Sequence, residues 1–173
     1  MNLPNYYEDP TTLHVGCEEN RSYFIPFTSK KDVLYKEPSS SEAYYTLNGN
    51  WKFLYYNSIH DLPDDFIEKT HLFEDAGNIP VPSVWQNHGY DRHQYTNIRY
   101  PFPFDPPYVP LDNPCGLYQR AFRLDTTQGK RFYLNFEGVD SCFYLWINKT
   151  FVGYSQVSHS TSEFEVSKYL TSG

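Results

Sequence analysis

The sequence predicts an all-β fold, an antiparallel β-sandwich, and three observations carry that prediction. Aromatic side chains are unusually abundant, with 17 Tyr, 13 Phe and 3 Trp among 173 residues, and such rings favour pleated sheets over helices. Apolar residues recur in short alternating runs separated by turn formers, the pattern of half-buried strands. Helical periodicity is nearly absent, whereas sandwiches are assembled from many short strands with frequent turns. A chain of this length has room for one domain that buries about 70% of its unfolded surface.

The elements follow in order. Residues 1–30 scatter aromatics and turn formers without a period and read as an arm. Thr28 to Tyr45 mixes charge, a serine run and Pro38, as surface loops do. The turn signal Leu47-Asn48-Gly49-Asn50 leads into Trp51–Tyr56, where Trp51, Phe53 and Tyr55 share one face of a strand. Asp61 to Lys69 suits one or two helical turns, with Asp64 and Asp65 near the N-terminus. Further on, Tyr118–Leu124 is short and extended. Phe132, Leu134 and Phe136 alternate with Tyr133 and Asn135, a strand with one buried face. Cys142–Ile147 is apolar throughout and reads as a central strand covered on both sides. Asn148-Lys149-Thr150 then turns the chain into Phe151–Tyr154, and Glu163–Val166 is one more strand.

Between these strands lies a long Pro-rich and aromatic loop, Ile79 to Tyr118. It contains Pro80, Pro82, Pro101, Pro103, Pro106, Pro107, Pro110 and Pro114. Each proline fixes φ and removes a donor, so the segment is extended and irregular. Long loops inside compact domains are often functional. A stiff aromatic loop that also exposes Asn, His and Gln suits a small polar ligand such as a sugar.

Composition narrows the alternatives. A formal charge of −7 argues against nucleic acid and anionic membranes as partners. No run of 18 apolar residues is present to span a bilayer. The start MNLPNYYEDP has neither the basic nor the apolar region of a secretory signal. Cys17, Cys115 and Cys142 are odd in number and lack metal-ligand spacing, which suits reduced thiols. The expected compartment is cytoplasmic. Asn20-Arg21-Ser22 and Asn148-Lys149-Thr150 match the glycosylation pattern but read as accidental without a signal peptide.

The motifs VPSVWQNHGYD, YTNIRYPFPFDPPYVPLDNPCGLYQRAF and FEGVDSCFYLWINKTFVGYSQVSHSTSEFEVSKYL occur in that order. Together they resemble the N-terminal domain of bacterial β-galactosidases of glycoside hydrolase family 2. The resemblance runs densely from Leu47 to Gly173 and more loosely from Tyr7 to Phe27. It sharpens the fold to a galactose-binding-domain-like jelly roll. It also divides the chain into an arm and linker at 1–46 and a sugar-binding domain at 47–173 that is incomplete at its C-terminal end. The family's hairpin turn reads Asn-Gly, and here Lys149 takes the glycine's place. A left-handed Lys costs roughly 1 kcal/mol relative to Gly, which favours a three-residue loop instead.

Asn97 is the candidate substrate-binding residue. On its residues alone, a loop Asn most often caps backbone groups. The resemblance matches Tyr95-Thr96-Asn97-Ile98 to the family segment whose Asn hydrogen-bonds galactosyl hydroxyls. Trp85 reads as the anchor of the loop, since a buried indole carries area and one donor. His88 and His93 lack a third ligand for zinc. Asp105 and Asp112 flank the proline run but start turns, and neither matches the family's catalytic glutamates. Cys115 reads as a small buried thiol. Through the resemblance, Asp9 and Gln156 match positions in a Mg2+ shell, and oxygen ligands suit that ion. Tyr6 replaces the family's acidic residue there, so the site is incomplete or altered. Mg2+ and Na+ are expected for the full-length family, with no complete site in this chain.

The resemblance therefore implies the N-terminal part of a β-galactosidase that hydrolyses terminal β-D-galactose from β-galactosides such as lactose. No catalytic residue is expected in this chain, and alone it is expected to be inactive. Its partners would be the sugar, the remaining domains, and further copies in a homo-oligomer or a second subunit. The alternatives are a free-standing carbohydrate-binding module and a piece serving assembly alone. Truncation after Gly173 would leave strands unpartnered, so the isolated chain is expected to self-associate.

Overall fold

The computed structural model describes residues 3–97, 100, 102–125 and 129–171, without the Thr70 side chain. Met1, Ile98 of the Tyr95–Ile98 motif, Pro101 and the Ser172-Gly173 end lie outside them. The described residues form eight short strands: β1 (His14–Val15), β2 (Gly49–Tyr56), β3 (Gly77–Val81), β4 (Cys115–Gln119), β5 (Tyr133–Phe136), β6 (Phe143–Ile147), β7 (Thr150–Ser155) and β8 (Ser162–Glu165). All pairings are antiparallel. The strands make three sheets, ordered β1-β7-β6, β3-β2-β4 and β5-β8.

The sandwich closes where alternation points rings inward. Ile147 and Val152 from β6 and β7 meet Phe164 and Val166 from the β8 side, with Leu134, Phe136, Phe143 and Leu145 around them. The Phe136 ring lies 4.6 Å from Phe143 and stands edge-on to Phe164 at 6.0 Å. Burying one such ring contributes about 1.5–3 kcal/mol. Ser162 donates to the buried Ser155 hydroxyl at 2.8 Å, and His14 Nδ1 lies 3.1 Å from the same oxygen. This chain of polar contacts links β8, β7 and the arm. In the β3-β2-β4 sheet, Phe53 and Ile79 are buried, and Trp51 Nε1 donates to Leu47 O at 2.8 Å.

Several expectations shift by identifiable causes. The segment read as a loop, Thr28 to Tyr45, holds a helix, α1 (Lys30–Tyr35), capped by Ser29. Its Asp32–Lys36 ion pair spans 3.3 Å. Too short for a visible period, it leaves Val33, Leu34 and Tyr35 exposed. The arm is not wholly irregular either, because β1 adds to β7. The expected extended run Tyr118–Leu124 begins earlier, at Cys115, and ends as strand at Gln119. Asp61 to Lys69 holds one helical turn, as expected, in which Lys69 N donates to Asp65 O at 3.1 Å and the two side chains pair at 2.9 Å.

The hydrophobic run Cys142–Ile147 is not the central strand. β6 lies at the end of its described sheet and β7 occupies the middle. The expected cover on both faces is nevertheless present. Phe143 and Leu145 pack on the core, while Trp146 meets Phe66 edge-on at 5.4 Å. The β6–β7 turn has two residues, with Ile147 opposite Thr150, and Asn148 and Lys149 take φ of 49° and 66°. The expected third loop residue is absent. Tertiary contacts offset the left-handed strain: Asn148 Nδ2 donates to Tyr169 O at 2.9 Å, and Lys149 Nζ to Glu68 O at 3.2 Å.

Candidate functional site

The Pro-rich loop leaves the sheet beyond β3 and is nailed to β2 by rings. A 3-10 turn at Trp85–His88 sets the Trp85 indole 5.6 Å edge-on to Tyr55 and 6.3 Å from Phe53. Tyr90 packs on the same two residues at 5.6 and 4.9 Å, and Tyr118 lies 4.7 Å from Phe53. Gly116 makes room for this cluster, since a Cβ there would fall 2.7 Å from Phe53 and 2.9 Å from the indole. Trp85 is the anchor its residue type suggested. Its Nε1 is buried with no hydrogen-bond partner among the described residues.

Beyond the anchor the chain turns sharply. Gly89 adopts φ of 85° and Asp91 of 57°, the left-handed region that Gly and Asp tolerate best. Residues 91–97 are then exposed, and Asn97 sits in a turn with Thr96. Among the described residues no hydrogen bond joins the Asn97 side chain to a partner. Around it in sequence stand Tyr95, Tyr100 and Phe104, which are 72%, 71% and 97% exposed. An exposed amide with two donors and one acceptor is equipped to meet a neutral polyhydroxylated ligand.

The far limb of the loop is held by the arm and by the segment after β2. Glu8 Oε1 accepts from Val109 N at 3.0 Å, and its Oε2 accepts from Asn5 Nδ2 at 2.8 Å. Ser58 Oγ donates to Leu111 O at 2.5 Å, and Ile59 N to Asn113 O at 2.9 Å. Asp105 N donates to Pro103 O, and its carbonyl accepts from Tyr108 N, both at 2.9 Å. Asp105 therefore serves a turn, and Asp112 also lies in one. Residue type gave no warning of the Glu8 contact, because its partner lies 101 positions away.

Asp9 and Gln156 come together, but through the backbone. Gln156 Nε2 donates to Asp9 O at 2.9 Å and to Thr12 O at 2.6 Å. The Asp9 carboxylate accepts from Thr11 Oγ1 at 2.6 Å, Thr12 Oγ1 at 2.6 Å and Thr11 N at 2.9 Å. The Thr11 hydroxyl first, then the Thr12 hydroxyl and the Thr11 N–H, hold its carboxyl below the usual range. A carboxylate offers about four lone-pair directions, so roughly one remains for a cation, together with the Gln156 amide oxygen. Mg2+ requires near-octahedral oxygen ligation. The two residues fit as contributors to a hydrated ion and fall well short of a complete site. Among the described residues no group of three or more His, Cys, Asp or Glu could hold a metal. Tyr6, at the family's acidic position, is a packing residue, 5.3 Å from Tyr154 and stacked on Tyr144 at 6.1 Å.

Burial pushes the Cys115 thiol up to about 11, so it stays protonated and is a poor nucleophile. One small cleft lies between residues 18–24 of the arm and the β5-β8 sheet, lined by Arg21, Asn135 and Glu163 among others. It is formed by segments other than the Asn97 loop. Arg21 fills part of it by pairing with Glu163.

Comparison with known proteins adds the family. The glycosyl hydrolases family 2, sugar binding domain, matches residues 44–173. A β-galactosidase of Actinobacillus pleuropneumoniae is 55% identical over 173 residues, which is all of this chain and 17% of that protein. One from Staphylococcus xylosus is 41% identical over 170 residues, covering 97% of this chain and 17% of that protein. One from Oenococcus oeni (strain ATCC BAA-331 / PSU-1) is 43% identical over 130 residues, 74% of this chain and 12% of that protein. The chain thus spans about a sixth of the length of the first two relatives.

Proposed function

Because the chain belongs to the sugar-binding domains of the family 2 glycosyl hydrolases, we propose that it works as part of a larger β-galactosidase and forms one wall of the pocket for a terminal β-D-galactose. The observation that carries this reading is Asn97. Its amide is exposed and unpartnered among the described residues, on a loop whose base is fixed to β2 by Trp85 and Tyr90. Vicinal sugar hydroxyls both donate and accept, as the amide does. The domain's share in the reaction is to position the sugar, which lowers a barrier without breaking a bond.

The bond-breaking groups belong, in this reading, to the part of the enzyme outside this chain. One carboxyl protonates the leaving oxygen of a β-galactoside such as lactose. A second attacks the anomeric carbon, and the glycosyl-enzyme so formed is opened by water. Asp9 and Gln156 would lend a carboxylate and an amide oxygen to a hydrated Mg2+ whose other ligands come from elsewhere in the enzyme. Bound there, the ion supplies fixed positive charge and ordered water. Na+, the family's other expected cation, has no ligand assigned in this chain. The reading also places the enzyme in the cytoplasm, as a homo-oligomer or a two-subunit assembly.

The test is Asn97→Ala in the whole enzyme, assayed with a nitrophenyl β-galactoside. Loss of hydrogen bonds to neutral hydroxyls costs about 0.5–1.5 kcal/mol, which is roughly a 2- to 12-fold fall in kcat/KM. Thermal melting should not move, because the residue is exposed. Kinetics equal to the parent enzyme would remove Asn97 from the pocket.

A further inference from the structure

After Tyr90, packed on β2, residues 91–97 are exposed and end in Asn97. Over residues 91–97 one side-chain hydrogen bond ties the described stretch back to the fold: His93 Nε2 lies 2.9 Å from Asn87 Oδ1. With the amide oxygen accepting, Nε2 carries the proton. Asn87 itself belongs to the 3-10 turn Trp85–His88, whose indole is locked between Phe53 and Tyr55. The bond therefore connects the free limb to the best-anchored point of the loop. It closes a loop from Asn87 to His93 that contains both left-handed residues, Gly89 and Asp91.

We infer that His93 and Asn87 are a positioning pair that sets where Asn97 meets the galactoside, an inference that rests on the reading of Asn97 given above. Without the bond, no side-chain hydrogen bond among the described residues would tie 91–97 to the fold, and ordering them would fall to the sugar. Affinity is lost when a binding event must fix a loop that is not already fixed in the free protein. Closing so short a loop beforehand is entropically cheap, since the cost grows with loop length. Neither residue is buried, so the pair adds little to folding and its effect is directed at the ligand.

The experiment is a set of kinetic variants in the whole enzyme with a nitrophenyl β-galactoside. His93→Ala and Asn87→Ala should each lower kcat/KM by about two- to fivefold, divided between KM and kcat as Asn97→Ala divides its own loss. His93→Gln keeps an amide N–H near the position of Nε2 and should restore the parent value. In an Asn97→Ala background His93→Ala should have no further effect, because the pair acts through Asn97. Melting temperatures should be unchanged in all variants. If Asn97→Ala is impaired while His93→Ala is not, or if the two losses multiply, the positioning role is overturned and the Asn97 reading stands. If Asn97→Ala itself is indistinguishable from the parent, the pocket reading fails first and the positioning role with it.

Discussion

Glu8 and Val109 are joined across the molecule. The carboxylate of one residue in the arm accepts the backbone N–H of the other in the Pro-rich loop at 3.0 Å. The arm is in turn stitched to β7 by Gln156, and Tyr144 donates to Pro4 O at 2.5 Å. The position of the loop's far limb thus depends on the first residues of the chain.

That dependence carries a pH signature. The hydrogen bond from Asn5, then the one from Val109, holds the Glu8 carboxyl below its ordinary value of 4.5. A depressed carboxyl contributes stability that is present above the unfolded value and lost as pH falls through the folded one. The difference in melting temperature between the parent chain and Glu8→Gln should be full above the ordinary carboxyl value of 4.5 and should shrink as the medium is acidified below it. A difference that stays constant with pH would assign the stabilisation to packing of the side chain.

Gly116→Ala should destabilise the fold by about 1–3 kcal/mol, the usual cost of overpacking a filled site. The added methyl would meet the Phe53 and Trp85 rings at distances that force one of them to move. Urea unfolding followed by tryptophan fluorescence checks both the cost and the displaced indole. Parent-like stability would mean that the aromatic cluster yields without strain.

The thiols should resist modification while the chain is folded. Burial raises Cys17 and Cys115 from 9.0 to about 11 and raises Cys142 as well. Groups raised in this way contribute stability that is complete below the unfolded value and lost as pH climbs through the folded one. A chromogenic disulfide at pH 8 should therefore count few thiols in the folded chain and three in urea, and stability should fall between pH 9 and 11. Rapid reaction of all three under native conditions would contradict the burial.

The chain alone should not turn over a chromogenic β-galactoside. Without a nucleophile and proton donor, most of a rate enhancement that typically exceeds about 10⁶-fold is forfeited. Turnover by the pure chain that vanishes when one of its own carboxylates is mutated would overturn the division of labour proposed above.

The isolated chain should also self-associate at micromolar concentration. Tyr95, Tyr100, Phe104, Tyr108 and Leu111 all stand exposed on the Pro-rich loop, and exposed apolar side chains that come together in one patch commonly form an interaction site. Size exclusion with light scattering decides the point, and a monomer at all concentrations would mean that the rings are individually well solvated.

What the sequence determined by itself is local and periodic. The all-β class follows from ring content and from period-2 runs such as Phe132, Leu134 and Phe136, because a strand's alternation is written in consecutive residues. Trp85 as the anchor and Pro as the stiffener of the loop are likewise properties of single side chains. Tertiary structure decided what depends on partners far away. The run Cys142–Ile147 reads the same whether central or terminal in its sheet, since a strand can be covered on both faces in either place, and here β7 lies inside it. The left-handed Lys149 is disfavoured locally and is held by Glu68, 81 positions away. Glu8 and Val109, or Gln156 and Asp9, could not be paired by inspection, because hydrogen bonds spanning 101 and 147 positions leave no spacing to read.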